Sequence, residues 1–375
     1  MNRDAPPLSR IVEGLPPTVP FVGPEQQERD RGRPFAARIG ANESVFGPSP
    51  RAVEAIAQAA RDAWMYGDPT THDLRGALAD TLGVRPGNLV IGEGIDGLLG
   101  LTVRLFVNPG DVVVTSAGAY PTFNYHVAGF GGRLVTVPYR ADAEDPEALA
   151  EAARAHGARL VYLANPDNPM GTWHEAESVA RLIDALPDGC LLCLDEAYVE
   201  FAPAGTAPAF DLADPRVIRF RTFSKAHGLA GLRVGYGIAE AGIAAAFDRI
   251  RNHFGVGRVA QAGAMAALDD RAHLARVVAE VEASRVEIAR IATENGLSAL
   301  PSATNFVAVD CGRDGDFARA VLRGLLARDV FVRMPGVAPL DRTIRVSAGR
   351  AHDLALFAAA LPEALAEAGA AKARA

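Results

Sequence analysis

Between Asn88 and Ala239, short unbroken apolar runs alternate with stretches whose apolar residues recur at helical spacing. NLVIG, DVVVTS, RLVTVPY, RLVYLANP, LLCLDEAY, VIRFRTFS and RVGYGIA read as strands. The segment after Gly94, PTFNYHVAGFG, EALAEAARAHG and SVARLIDAL read as helices between them. Runs such as VVV and LLCL lack period-two alternation, as expected of strands covered on both faces. Strand–helix alternation of this kind predicts a mostly parallel, helix-covered sheet.

Two helices are expected earlier. One starts at Ser49-Pro50 in SPRAVEAIAQAARDAW, and one follows Thr71 and ends at Gly83. Past about Asp248 the pattern changes to one long helical stretch, AGAMAALDDRAHLARVVAEVEASRVEIARIATENG. Short strands, TNFVAVD and RTIRVSAG, follow with helices around them, and the C-terminal residues read as a helix fraying into a polar tail. The expected division is an extended arm over 1–35, a larger α/β domain over 61–248, and a smaller α+β domain from 36–60 and 249–375.

Composition narrows the classes. The chain has 375 residues, 49% hydrophobic and 22% charged, an ordinary globular balance. Its net charge of −7 gives no basic face, which argues against nucleic-acid binding. No stretch is long and apolar enough for a membrane span, and the proline-rich N-terminus lacks a signal core, so a cytoplasmic location is expected. Cys190 and Cys193 form a C-x-x-C with Cys311 left over. An odd count disfavours a disulfide framework. In a buried strand the pair would face opposite sides, and no second Cys/His pair completes a metal site.

Gly92-Glu-Gly94-Ile-Asp-Gly97 matches the dinucleotide fingerprint after a strand. The acidic residue expected at the end of the next strand is absent, since Asp111 precedes that strand. A strand, a glycine turn and a helix start hold a single phosphate equally well.

Chemistry concentrates in four places. SKAHGLAGLRVGY puts Ser224, Lys225 and Arg233 together: one amine and one anion binder just past an apolar strand. A desolvated lysine has a depressed pKa and becomes nucleophilic, whereas a lysine taken alone is more often a solvated surface group. In LLCLDEAY, Asp195 ends a strand. It is either a structural ion pair or a partner for a protonated ring nitrogen, with Tyr198 near enough to reach a ring oxygen. NPDNPMGT is a proline turn that also sets Asn168 at the carboxyl edge of the sheet, where open sheets bind ligands. In the fourth place, the Gly94–Asp96 turn offers backbone N–H groups, and Phe123 either packs in the core or stacks on a flat ring.

In order and spacing, ANESVFGPSP, YGDP, GEGIDGLL, PTFNYH, NPDNPMGT, DEAYVEF, TFSKAHGLAGLRVGY, TNFV and IRVSAG resemble fold-type I pyridoxal-phosphate enzymes. These are the class I/II aminotransferases, and the nearest branch is histidinol-phosphate aminotransferase. The likeness runs from about Arg38 to Arg350. It implies a three-layer fold around a mostly parallel sheet, pyridoxal 5'-phosphate as cofactor, an amino donor and a 2-oxo acid as substrates, ping-pong kinetics, and a homodimer with shared active sites. By that resemblance Lys225 carries the cofactor covalently and moves the proton, and Asp195 pairs with the pyridine nitrogen. Asn168 and Tyr198 contact the phenolic oxygen. Gly94 with the N–H groups of Ile95 and Asp96, together with Thr222, Ser224 and Arg233, holds the phosphate. Phe123 takes the stacking position, and Tyr66 reaches the neighbouring subunit's phosphate. Arg345 and Arg333, with Asn42, bind the substrate.

Some segments depart from the family pattern: Asn42-Glu43-Ser44-Val45-Phe46-Gly47-Pro48, His227 after the lysine, and Arg251 to Gly257. They bear on the substrate rather than on the lysine chemistry. His227, Asn252 and His253 are either substrate contacts or satisfied polar residues. On the same fold, a threonine-phosphate-decarboxylase-like or other lyase is the alternative reaction. A non-catalytic cofactor-binding regulator and a nicotinamide dehydrogenase are more distant readings.

Overall fold

The structure, a computed structural model, describes residues 6–17 and 22–373. Residues 1–5 and 18–21 of the expected arm therefore lie outside the described residues. The strands run β1 (Ala37–Arg38), β2 (Leu89–Gly92), β3 (Val112–Ser116), β4 (Arg133–Val137), β5 (Leu160–Ala164), β6 (Leu191–Asp195), β7 (Val217–Thr222), β8 (Gly235–Ile238), β9 (Ser298–Ala299), β10 (Phe306–Asp310), β11 (Val330–Phe331) and β12 (Thr343–Ser347).

A seven-stranded sheet has the order β2-β8-β7-β6-β5-β3-β4. All its pairs are parallel except those β8 makes with β2 and β7. The reversal of β8 follows from its connection. Between Thr222 and Gly235 there is only a loop with one short helical turn, Ala230–Leu232, and no crossover helix to return the chain. That loop carries Lys225 and Arg233.

Both faces of the sheet are apolar. On one face Leu98, Val103, Phe123, Tyr162, Cys193 and Phe220 pack together; on the other are Val114, Leu149, Val161, Leu182 and Leu192. Cys190 belongs to the second cluster and Cys193 to the first, and both thiols are free and buried. A smaller antiparallel sheet, β12-β10-β9, and the parallel pair β1–β11 share another core with the helices Gly315–Ala327 and Ala351–Ala373.

Local chemistry sets the helix ends. Ser49 Oγ accepts from Ala52 N at 3.0 Å and Pro50 occupies the first turn, as the Ser-Pro pair predicts. Thr71, expected to open the next helix, does not cap it. Its backbone is left-handed (φ 50°), and the Asp68 carboxylate takes the His72 N–H instead, at 2.8 Å. The expected single long helix is two, Arg258–Asp269 and Arg271–Glu294, because the side chain of Asp270 caps the second at His273 N. The expected extended arm is partly helical, over Arg10–Glu13 and Pro24–Arg31. The second of these helices is tied down by ion pairs from Arg31 to Asp329 and from Glu25 to Arg38. Helices Pro50–Ala59 and Arg258–Asp269 share a buried cluster with Leu89, Ile91, Tyr236 and Ile238 of the large sheet. The boundaries expected at 60 and 249 place both helices in the smaller unit, whereas the packing sets them against the larger one.

Candidate active site

The parallel strands β2, β3, β5, β6 and β7 end on one edge of the sheet, and the reversed β8 starts there. Their ends deliver Gly94, Asn168, Asp195 and Lys225 to that edge, and Arg233 arrives two residues before β8. This is the ligand-binding edge of open α/β sheets.

Asp195 is buried at the end of β6. Tyr162 Oη donates to its Oδ2 at 2.8 Å and Ala197 N to its Oδ1 at 2.9 Å. Burial pushes the carboxyl up to about 6; the Tyr162 and Ala197 bonds and the charge of Lys225 oppose that rise. Tyr162 reaches Asp195 because Tyr162 pairs with Cys193 across β5 and β6, and alternate residues share a face.

Lys225 lies beyond β7, and its Nζ donates to the backbone carbonyl of Asn42 at 3.1 Å. Burial pulls its amine down to about 8, Arg345 and Arg233 push the same way, and Asp195 pulls against them. Asn42 is a hub. Its φ of 56° is left-handed, a region asparagine tolerates better than most residues. Its Nδ2 donates to Tyr198 Oη at 3.0 Å, and its Oδ1 accepts from Ser347 Oγ at 3.2 Å. Its carbonyl also accepts from Asn305 Nδ2, at 3.0 Å. The smaller sheet thereby fixes the partner of the lysine on the larger one.

Gly94 opens the helix Gly94–Phe106 in a left-handed conformation (φ 74°). A Cβ there would stand 2.4 Å from Arg233 Nη2, and one on Gly235 would stand 2.8 Å from Ile95 N. Arg233 Nη1 donates to Ser224 Oγ at 3.3 Å, and Thr222 Oγ1 accepts from Ser224 N at 3.0 Å. The guanidinium, the hydroxyls and the helix N-terminus thus converge on one cup suited to a phosphate. The side chain of Asp96 turns away to His126 Nε2, at 3.0 Å.

Arg345, on β12, donates through Nη1 to Asn168 Oδ1, and its guanidinium lies 5.1 Å over the Phe306 ring. Its Nε is buried and has no hydrogen-bond partner among the described residues. Arg333 pairs with Arg345 backbone to backbone, and its side chain bonds the Val22 carbonyl.

A family model described as "Aminotransferase class I and II" matches residues 37–361. The chain belongs to this family. Among relatives, the histidinol-phosphate aminotransferase of Moorella thermoacetica is 36% identical over 367 residues, covering 96% of this chain and 94% of that protein. Among solved structures, the histidinol-phosphate aminotransferase from Sinorhizobium meliloti, in complex with pyridoxal-5'-phosphate, is 56% identical with a TM-score of 0.93. That match covers 96% of this chain and 97% of the other. Thermus thermophilus aspartate aminotransferase with maleate, at 22% identity and a TM-score of 0.79, shares the fold; the match spans 96% of this chain and 100% of that one.

Within this aminotransferase, most of the sequence-selected residues meet. Hydrogen bonds join Lys225, Asn42 and Tyr198, and also Asn168 and Arg345; the charges of Asp195 and Arg345 act on Lys225, and Gly94, Thr222, Ser224 and Arg233 form the adjoining cup. Phe123 is fully buried and stacks on Tyr162, ring centroids 4.5 Å apart. Tyr66 is 77% exposed, and its ring lies tilted against that of Phe254, centroids 4.6 Å apart. Three contributors escape sequence reasoning: Tyr162, Tyr120 and Ser347. A tyrosine in the otherwise apolar run LVYLA signals a hydroxyl in need of a partner, but naming Asp195 as the partner requires the strand register. The Tyr120 hydroxyl is pushed up to about 12, chiefly by burial and then by the Asp96 carboxylate. Among the described residues, no His, Cys, Asp and Glu cluster is arranged to hold a metal ion, and no helix is long and apolar enough to cross a membrane.

Proposed function

We propose that this aminotransferase carries pyridoxal 5'-phosphate on Lys225 and moves an amino group between an amine bearing an anionic group and a 2-oxo acid. One observation carries the reading: a buried lysine amine of depressed pKa feels both the Asp195 carboxylate and Arg233, whose guanidinium packs against Gly94 in the cup. These residues fit the cofactor's three handles: a carbonyl for the amine, a pyridine nitrogen for the carboxylate, and a phosphate for the cup.

When bound, the cofactor supplies an electrophilic carbon and a protonated ring that takes up electrons. Lys225, whose amine burial lowers to about 8, is the nucleophile that would hold it. With an amino substrate in place, Lys225 Nζ would be the base that takes the proton from the substrate carbon and the acid that returns it. Asp195 keeps the ring nitrogen protonated, and Tyr162 and the Ala197 N–H hold that carboxylate in place. Asn168 and Tyr198 donate toward the ring oxygen. Arg233, Ser224, Thr222 and the N–H groups of Ile95 and Asp96 hold the phosphate. Phe123 packs behind the ring. Arg345 takes the substrate's anionic group, with Arg333 beside it and Asn42 beneath. A 2-oxo acid reverses the sequence, which gives ping-pong kinetics.

The 56% identity to the Sinorhizobium meliloti enzyme and the Arg333–Arg345 pair favour histidinol phosphate as amino donor. The exposed Trp64, Tyr66 and Phe254 favour a homodimer in which Tyr66 completes the neighbour's phosphate site. Three free buried cysteines fit a reducing cytoplasm. The test is a panel of phosphorylated and carboxylated amines added to the yellow holoenzyme. Bleaching by histidinol phosphate and glutamate formed from 2-oxoglutarate are expected; carbon dioxide release without glutamate would reassign the reaction to a decarboxylase.

A further inference from the structure

Among the described residues, the backbone carbonyl of Asn42 receives two side-chain donors, one from the larger unit and one from the smaller. Lys225 Nζ reaches it at 3.1 Å and Asn305 Nδ2 at 3.0 Å. A carbonyl oxygen has two lone pairs, so both bonds form at once. Asn305 is buried and immediately precedes β10, and its own carbonyl accepts from Ala348 N at 2.8 Å. Phe306 and Ser347 are cross-strand partners, so the adjoining ends of β10 and β12 both stand against Asn42. The Asn305 amide nitrogen also lies 3.5 Å from the Glu43 carbonyl, while its Oδ1 is buried with no hydrogen-bond partner among the described residues. A buried acceptor without a donor costs stability. The amide keeps this orientation because turning it over would set oxygen against oxygen at Asn42.

The second donor matters because the lysine cannot stay. Nζ has to leave the carbonyl to hold a cofactor or to work on a substrate carbon. With Lys225 as sole donor, each departure would leave a buried carbonyl bare. With Asn305 in place the carbonyl stays paired. Sharing also loosens the grip on the charged form of the lysine, since an ammonium bonds a carbonyl more strongly than a neutral amine does. Burial, Arg345 of β12 and Arg233 before β8 disfavour the charge on Nζ; Asp195 of β6 and Glu43 favour it, and the Tyr198 ring centroid lies 5.5 Å from Nζ.

We propose that Asn305 is a positioning residue for Lys225: it shares the Asn42 carbonyl with the lysine and so keeps Nζ neutral and free to leave. The proton that Nζ loses goes to solvent, and Asn305 itself touches neither substrate nor cofactor. The inference rests on the reading of Lys225 as the amine that carries the cofactor.

The experiment follows acylation of Lys225 by acetic anhydride in the full-length, cofactor-free chain as pH is raised, read by mass spectrometry of the Lys225 peptide. In the unsubstituted chain labelling should rise through about 8. Asn305→Leu keeps the size and removes the donor. Its midpoint should move up by at least about half a pH unit, a roughly threefold lower labelling rate near neutrality. Ser347→Ala loosens Asn42 but leaves both donors on its carbonyl, so its midpoint should stay within about 0.2 of the parent. In the holoenzyme, Asn305→Leu should lower kcat about tenfold and change KM less than about twofold. If Asn305→Leu fails to fold, Asn305→Ala removes the same donor without added bulk and is read in the same way. An unmoved midpoint or an unchanged kcat overturns the inference. So does an equal shift in Ser347→Ala, which would make loosening of Asn42 the cause. Labelling needs no cofactor, so the two readings fail separately: a borohydride adduct on a residue other than Lys225 would remove the assignment of the lysine and leave the midpoints as measured.

Discussion

Lys225 Nζ and the backbone carbonyl of Asn42 are joined by a 3.1 Å hydrogen bond across 183 positions of sequence. The carbonyl is presented by a left-handed residue whose side chain is held by Tyr198 and Ser347. A carbonyl accepts from an amine without adding a charge, so it orients Nζ while leaving its pKa depressed by burial.

Lys225→Ala should abolish transamination, a loss of at least about a thousandfold, while the far-ultraviolet spectrum stays that of the parent. In the cofactor-free parent, covalent loading should speed up as pH rises through about 8, because the amine is lowered to that value and only its neutral form attacks. Borohydride should fix one cofactor adduct on Lys225. Turnover in Lys225→Ala, or an adduct on another residue, would remove the lysine from its role.

Asp195 titrates near 6 in the cofactor-free chain because burial raises it. Below that pH it is neutral and no longer attracts a protonated pyridine, so cofactor affinity should fall as pH drops through about 6. Tyr162→Phe removes the strongest bond stabilising the carboxylate, and that limb should move to higher pH. Cofactor dissociation constants measured by absorbance across pH 5 to about 8 check this. A limb unmoved by Tyr162→Phe would mean the Tyr162 bond does not tune Asp195.

Gly94→Ala tests the phosphate cup. Its positive φ costs an alanine about 1 kcal/mol, and the new methyl would displace Arg233 Nη2 from its place 2.4 Å away. The fold should survive that cost. Cofactor affinity should drop at least about tenfold, measured by equilibrium dialysis. Unchanged affinity would place the phosphate elsewhere.

Tyr66 is 77% exposed on its own chain, beside the exposed Phe254. If a second subunit covers it, sedimentation should give a dimer. Tyr66→Phe should then weaken cofactor retention by about 1 kcal/mol, that of one hydrogen bond, without dissociating the dimer. A monomeric parent that binds cofactor fully would contradict the shared site.

The sheet was legible in the sequence because continuous apolar runs mark strands buried on both faces, and GEGIDGLL and SKAHGLAGLR stand at their ends. The direction of β8 was not legible, since it depends on the loop holding Lys225 being too short for a crossover. Thr71 misled because capping is decided by backbone angle, and Asp68 lies in better position. Asn42 could be picked from its motif, but its carbonyl contact to Lys225 could not. Tyr162 escaped because its partner comes from a neighbouring strand, and register is not written in any local pattern.

Arg345 and Arg333 divide the last prediction. Arg345 has one nitrogen engaged by Asn168 and a buried Nε with no partner among the described residues, so it is poised to take an anion. Arg345→Ala should raise KM for every anionic substrate about a hundredfold, the loss of a charge-assisted pair of about 3 kcal/mol, and change the cofactor dissociation constant only a few-fold. Arg333 joins Arg345 through backbone bonds that truncation leaves intact. Arg333→Ala should therefore keep the strand and raise KM more for a phosphorylated amine than for glutamate, because a phosphate offers charge and oxygens enough for two guanidiniums. Equal increases for both donors would show that Arg333 does not read the phosphate. A cofactor defect in Arg345→Ala larger than its KM effect would move that arginine from the substrate to the cofactor.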